Sequence, residues 1–379
     1  MILYISAGTS YKIYDEMRQK CFIVEKSFQV QKFNNNVILG LSEFEKVVAL
    51  SALPSQKNVD VPKRIEESSN TKFICVKNTR GKFRKINRIR DLIKQGKEII
   101  KKERPKFIIC DAITLVASYV TLKLGKKFKI PTVGIVTDVP EKYCHGKMGL
   151  FGKLDARLMK KYDKYVLLTE AMNEIVNPKN KPYVVMEGAC GEVPELTKKD
   201  DNKKIILYSG SLWKEKLGLE YFTEGFIKAN LKDVELHFYG IGEFETEIEK
   251  YSKIVPSIKY MGVVSNSEII KKQAEATLLV NPRPSSEEYC KYSFPSKTFE
   301  YMASGTPVLM TKLPCLTNEY FEHLYFIEEE TSDFVCKKLK EIFSISNDER
   351  NEFGKKAREF VAFNKNANVQ AKKIINLGK

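Results

Sequence analysis

Seven short runs in the first half of the chain are apolar at nearly every position, and this limits the fold more than any other feature. They are ILYIS (2–6), VVALSA (47–52), FICV (73–76), FIIC (107–110), TVGIVT (132–137), YVLLT (165–169) and YVVME (183–187). A strand with one wetted face alternates apolar and polar residues. A strand buried on both faces does not, and such strands belong to parallel sheets covered by helices. Helix-length segments at 29–44, 83–102, 112–126 and 150–162 lie between the runs, so the spacing predicts βαβ units.

The alternation stops at GACGEVPELTKKDDNKK (188–204), a polar, charged stretch with Pro and Gly that reads as a linker. It restarts with IILYS (205–209), VELHFY (234–239), IKYMG (258–262), TLLVN (277–281) and PVLM (307–310). Helical patterns fall near 218–230, 243–253, 265–274 and 296–303, and two more close the chain at 347–362 and 366–377. The expected architecture is α/β, with two Rossmann-like domains at 1–190 and 191–360 whose parallel sheets face each other across a deep cleft. The helix in 361–379 is expected to pack back on the first domain. Parallel sheets bind ligands at the carboxyl ends of their strands, so such a pair suits an enzyme holding one ligand in each half.

Composition narrows the partners. Lys and Arg total 64 against 48 Asp and Glu, a net +16, which favours an anionic ligand or surface. The eight cysteines show no CxxC pair and there are three histidines, so reduced thiols are expected, with no metal and no cofactor. The start, MILYISAGTS, lacks a basic n-region, and no apolar run reaches about 18 residues. A cytoplasmic protein is expected.

A dinucleotide fingerprint is missing: SAGTSYK follows the first strand, and Gly240 and Gly242 form a GxG without its third glycine. The most informative stretch is YSFPSKTFEYMASGTPVLMTKLP (292–314). It enters a helix that Ser293 or Ser296 can cap, with Pro295 suited to the first turn. Lys297 stands in that first turn, where a cation is unfavourable unless an anion binds beside it. Glu300 shares its face at i, i+3, and a plain surface pair is the alternative reading.

SFPSKTFEYMASGTPVL resembles the donor-site motif of glycosyltransferase family 4, retaining enzymes of the GT-B fold. KFNNNVILGLSEFEKVVALSALP (32–54), GIVTDVP (134–140), LLTEAMNEIV (167–176) and ILYSGSLWKEKLGLEYFTEGF (206–226) resemble stretches of bacterial polysaccharide-assembly members. The resemblance implies that Glu300 binds the nucleotide ribose and that Ser293, Phe294 and Ser296 lie against the donor. It puts Tyr292 where the motif's first glutamate belongs, with Glu287 or Glu288 as a replacement. Ser211 stands where an arginine often grips the diphosphate. Lys214 or, by preference, Lys216 supplies the lysine of that grip, and Arg283 and Lys297 add charge. Gly240 and Gly242 let backbone approach the nucleotide, and Val263 meets the base through main-chain groups. Turns that merely end strands would explain these glycines equally well.

In the first half, Asp138 follows the strand TVGIVT, where the family carries a histidine or acid facing the sugar; an Asp turn cap is the alternative. Asp111, also at a strand end, reads equally as a helix cap. His145 in the loop EKYCHGKMG reads as a solvated side chain. From 77 to 106, 13 basic residues face three acids, with Ile86, Ile89, Ile93 and Ile100 at helical spacing. This amphipathic helix near 83–102 is expected to touch an anionic membrane, placing the protein peripherally on the inner face of the plasma membrane.

The expected function is a glycosyltransferase of the hexosyltransferase type in bacterial surface polysaccharide assembly. Asp138, Lys297 and Glu300 are its catalytic group, a UDP-sugar its donor and a glycan or lipid-linked molecule its acceptor. A nucleotide-sugar epimerase of the same fold is the alternative. A nucleic-acid-binding protein is the remote one, because aromatic-interleaved basic motifs are missing, and no nucleic-acid partner is expected.

Overall fold

The first seven apolar runs become strands β1 (Ile2–Ser6), β2 (Val47–Ser51), β4 (Thr71–Cys75), β5 (Ile108–Asp111), β6 (Thr132–Val136), β7 (Lys164–Leu167) and β8 (Tyr183–Val185), and with β3 (Arg64–Glu67) they make one eight-stranded sheet. Its order is β3-β4-β2-β1-β5-β6-β7-β8. The computed structural model describes residues 1–20, 28–54, 58–139, 149–191, 193–196, 204–214 and 217–378. Pairing is parallel throughout except at β3, which runs antiparallel to β4. This edge strand, RIEE, corrects the expectation of a purely parallel sheet; its charged sequence gives no apolar run to detect.

Successive strand residues point to opposite faces, and both faces are covered. Leu3, Ile5, Val48, Leu50, Ile108 and Cys110 pack under the helices Arg84–Glu103, Leu115–Phe128 and Leu150–Met159. Ile2, Tyr4, Val47, Ala49 and Ile109 pack under the helices Tyr11–Gln19, Phe28–Ser42 and Ala367–Gly378. The last of these is bound through Lys164, whose ammonium donates to the Leu377 carbonyl at 2.6 Å.

The chain divides into two units. The first holds Met1–Ala189, Lys291–Phe294 and Asn366–Lys379; the second holds Cys190–Cys290 and Pro295–Lys365. The second is built on β9 (Lys204–Ser209), β10 (Val234–Tyr239), β11 (Ile258–Tyr260), β12 (Leu278–Asn281), β13 (Val308–Thr311) and β14 (Tyr325–Ile327). All are parallel, in the order β11-β10-β9-β12-β13-β14. That is the doubly wound order 3-2-1-4-5-6 with its switch point between β9 and β12.

Candidate functional site

The two loops that leave β9 and β10 are laced together by main-chain bonds. Gly210 N–H donates to the Tyr239 carbonyl at 2.8 Å, Leu212 N–H to Ile241 at 3.0 Å, and Phe244 N–H to Leu212 at 2.8 Å. A Cβ on Gly240 would stand 1.7 Å from the Gly210 carbonyl oxygen, and one on Gly242 would stand 2.4 Å from that of Leu212. Gly240 also has φ +136, which side chains disfavour. The close approach that demands glycine here is to the protein's own backbone, which accounts for both residues without a nucleotide.

Above this lacing sits Lys297. A Cβ on Gly210 would meet the Lys297 ammonium at 1.7 Å, so the bare Gly210, at the switch point, makes room for that charge. The ammonium lies 4.5 Å from the centre of the Tyr208 ring and donates to the Tyr208 hydroxyl at 3.2 Å. Burial pushes its pKa down to about 8, with Glu300 opposing the shift and Arg283 adding to it. A cation that is costly to keep charged gains most from an anion placed beside it.

The helix Lys297–Ala303 is seven residues long. Ser296 heads it without a side-chain cap bond, so of the two serines expected to cap it, Ser296 does not. With so short a helix, local positive charge rests on Lys297 and Arg283. Glu300 is fixed instead by a residue that sequence reasoning passed over. Gln273, fully buried on the helix Asn266–Glu275, donates through Nε2 to Glu300 Oε1 at 2.9 Å and to Ser209 Oγ at 3.1 Å. Tyr301 OH accepts from Ser209 N–H at 2.9 Å, which fixes the end of β9 against the same helix. Gln273 shows no signal in the sequence beyond a polar position on an amphipathic helix.

The other expected site residues are placed as follows. Ser211 is exposed, and its carbonyl accepts from Tyr208 OH at 2.8 Å. Lys214 pairs with Glu247 at 3.1 Å, and Lys216 lies outside the described residues. Val263 is 70% exposed beyond β11. The Arg283 guanidinium stacks 4.5 Å over the Tyr289 ring just past β12, across the switch point from Gly210. Glu288 is exposed at the start of the 3-10 turn Glu288–Lys291. Tyr292 is buried in the apolar cluster of the first unit, Phe294 is also buried, Ser293 is half-buried and Ser296 is exposed. Gly210, Arg283, Lys297 and Glu300 therefore share one corner of the second unit.

In the first unit, Asp138 follows β6 and is half-buried, and His145 lies outside the described residues. Asp111 ends β5, fully buried. It accepts from Asn34 Nδ2 at 3.0 Å, and Asn34 in turn accepts from Tyr4 OH at 2.7 Å. Asp111 Oδ1 takes the Ile113 N–H, while Thr114 heads the next helix, so Asp111 closes a turn rather than capping that helix. Burial pushes its pKa up to about 6; Asn34 opposes the shift and the charge of Asp138 adds to it. Asp155 is likewise raised to about 6 by burial and by Asp111. Three carboxyls thus converge at the carboxyl ends of β5 and β6.

Residues 203–343 match the family of glycosyl transferases group 1. No curated protein matches the sequence. Among solved structures, the chain resembles a sucrose-phosphate synthase from Thermosynechococcus elongatus (13% identity, 100% of this chain and 98% of that one, TM-score 0.67). It also resembles an E. coli protein described as trehalose-6-phosphate, bound with UDP-2-fluoro glucose (10%, 100% and 99%, TM-score 0.70). A third is an Anabaena protein in complex with UDP and glucose (10%, 99% and 98%, TM-score 0.61). The fold over the full chain is that of GT-B proteins.

Proposed function

We propose that this chain, a glycosyltransferase of the GT-B fold with a group 1 domain in its second unit, takes its sugar from a UDP-linked donor and retains the anomeric configuration. The observation that carries the reading is the Lys297 ammonium, depressed by burial and held over Gly210 at the switch point of the second sheet. A diphosphate there offsets the cost of keeping the lysine charged, and Arg283 lies across the switch point from Gly210. Glu300, oriented by Gln273, accepts hydrogen bonds from the ribose diol, a task suited to a carboxylate.

As the glycosidic bond breaks, its electron pair and negative charge go to the diphosphate, which Lys297 stabilises; charge placed beforehand at such a point is the usual main catalytic contribution. The acceptor hydroxyl attacks the face the diphosphate leaves, and its proton passes to a diphosphate oxygen. Asp138, at the end of β6, is the polar group proposed for the sugar or the acceptor. The acceptor is a glycan or a lipid-linked molecule of bacterial surface polysaccharide assembly, and the basic helix Arg84–Glu103 draws the protein to an anionic membrane.

The test is thermal protection by UDP compared with oligonucleotides, followed by product analysis with UDP-sugars. Protection by UDP that is lost in Lys297→Ala and Glu300→Ala supports the assignment. Protection by oligonucleotides alone, or an epimerised free nucleotide sugar as sole product, overturns it.

A further inference from the structure

Arg283 stands on a short run, 282–285, that follows β12, and every other residue of the run is pinned. The Pro282 carbonyl accepts from Tyr221 OH at 2.6 Å and the Pro284 carbonyl from Cys290 Sγ at 3.1 Å. Ser285 N–H donates to Glu330 Oε1 at 2.6 Å, and the Ser285 hydroxyl donates to the same oxygen at 2.5 Å. The two prolines flanking Arg283 fix their own φ, and Pro284 keeps Arg283 out of the helical region.

The pins come from elements far apart in the chain. Tyr221 belongs to the helix Leu219–Ala229 after β9, and its hydroxyl also meets Thr311 Oγ1 at the end of β13, at 3.2 Å. Burial raises the Tyr221 pKa well above the ordinary tyrosine value; the Thr311 bond opposes the shift and the charge of Glu330 adds to it. The hydroxyl therefore stays a donor. Glu330 follows β14 and is half-buried. The run is thus framed from β9, β13 and β14 together.

The Arg283 side chain is itself laid over the Tyr289 ring, 4.5 Å away. Its charge reaches Lys297, whose pKa it helps to lower. Two cations that burden each other in this way are relieved by an anion beside both. Fixing a long side chain before the anion arrives removes that ordering from the binding step.

We propose that Glu330 is a positioning residue of the donor site: by holding both donors of Ser285, with Tyr221 holding Pro282, it fixes the loop from which Arg283 serves the ligand beside Lys297. Glu330 and Tyr221 act through Arg283. That the ligand is the donor's diphosphate rests on the transferase reading; the clamp on the loop does not.

Calorimetry of the full chain with UDP, and with uridine, which lacks the diphosphate, tests this. Glu330→Ala should weaken UDP binding about tenfold and Ser285→Ala about threefold, with uridine affinity unchanged. Glu330→Gln keeps an oxygen that can accept both bonds and should stay within about twofold of the wild type. In the Arg283→Ala background, Glu330→Ala should add less than about twofold, because its effect runs through the arginine already removed. Hydrogen exchange over 283–291 without nucleotide should be faster in Glu330→Ala.

Equal losses of UDP and uridine affinity overturn the proposal, since they mark general damage to the unit. So do losses that multiply in the double variant, or an unchanged UDP affinity in Glu330→Ala. If the wild type does not bind UDP, the donor reading falls and exchange alone decides: faster exchange in Glu330→Ala supports the clamp, and equal exchange overturns it.

Discussion

The pH dependence of UDP binding is the sharpest consequence of where Lys297 sits. Its pKa falls from 10.5 to about 8 in the protein alone. That shift corresponds to about 3 kcal/mol against the charged form. A diphosphate favours the ammonium and should bring the pKa back toward its ordinary value, so binding takes up a proton wherever the lysine of the free protein is neutral. Below pH 8 the lysine is charged before and after binding, and affinity is flat. Above pH 8 the free protein must first gain a proton. At pH 9, roughly ten of every eleven free molecules are neutral at this position, so Kd should be about tenfold weaker than at pH 7.

The diphosphate of UDP is itself more than nine-tenths ionised from pH 7 to 9, since a phosphate's second ionisation lies at about 6, so it contributes little to this slope. Isothermal titration calorimetry in buffers of different ionisation enthalpy would measure both Kd and the proton uptake. Lys297→Arg keeps its charge throughout and should bind UDP with no slope between pH 7 and 9, whatever its absolute affinity. Lys297→Met should bind weakly at every pH. A wild-type Kd that stays constant from pH 7 to 9, with no proton uptake, would refute the placement of the diphosphate beside this lysine.

Three further outcomes follow from other parts of the molecule. Gln273→Leu should raise the donor KM about tenfold through loss of the bond that orients Glu300, and Glu300→Ala should exceed it; steady-state kinetics would show this. Gly240→Ala forces a Cβ into the Gly210 carbonyl at a positive φ and should cost at least about 3 kcal/mol, read by urea unfolding. Asp111 is raised from 3.8 to about 6, so the folded protein keeps a proton that the unfolded chain has released between those values. Its contribution to stability therefore declines as pH rises from about 4 to about 6 and stays low above. Asp111→Asn should flatten that decline, read as a Tm that changes less between pH 4 and pH 7.

The fold was legible where burial alone dictates sequence. Runs such as VVALS and VELHFY can only be strands covered on both sides, and their alternation with helical spacing implied the two wound sheets. What escaped was local and polar. The helix Tyr11–Gln19 hides its three buried residues, Ile13, Tyr14 and Met17, among charges, and the three residues of β14 are too short for a pattern. At the candidate site, Lys297 and Glu300 stood out because a basic first turn is unfavourable by itself. Gln273 did not, because its burial is decided by how two helices and β9 meet. Gly240 was visible as a glycine, but the carbonyl that forces it belongs to a loop about thirty residues earlier in the chain.

The antiparallel strand β3 has a consequence for the chain's life among its own copies. Without it the rim of the first sheet would be β4, whose Phe73, Ile74 and Cys75 are buried and would offer a foreign strand an oily ladder of open amides. With it, the rim is Arg64–Glu67, where Arg64 is already paired to Glu16 at 2.8 Å and Glu66 accepts from Ser10. A second molecule approaching this side meets fixed charges instead of a template. Crowding should therefore not drive copies of the chain to zip together along this rim.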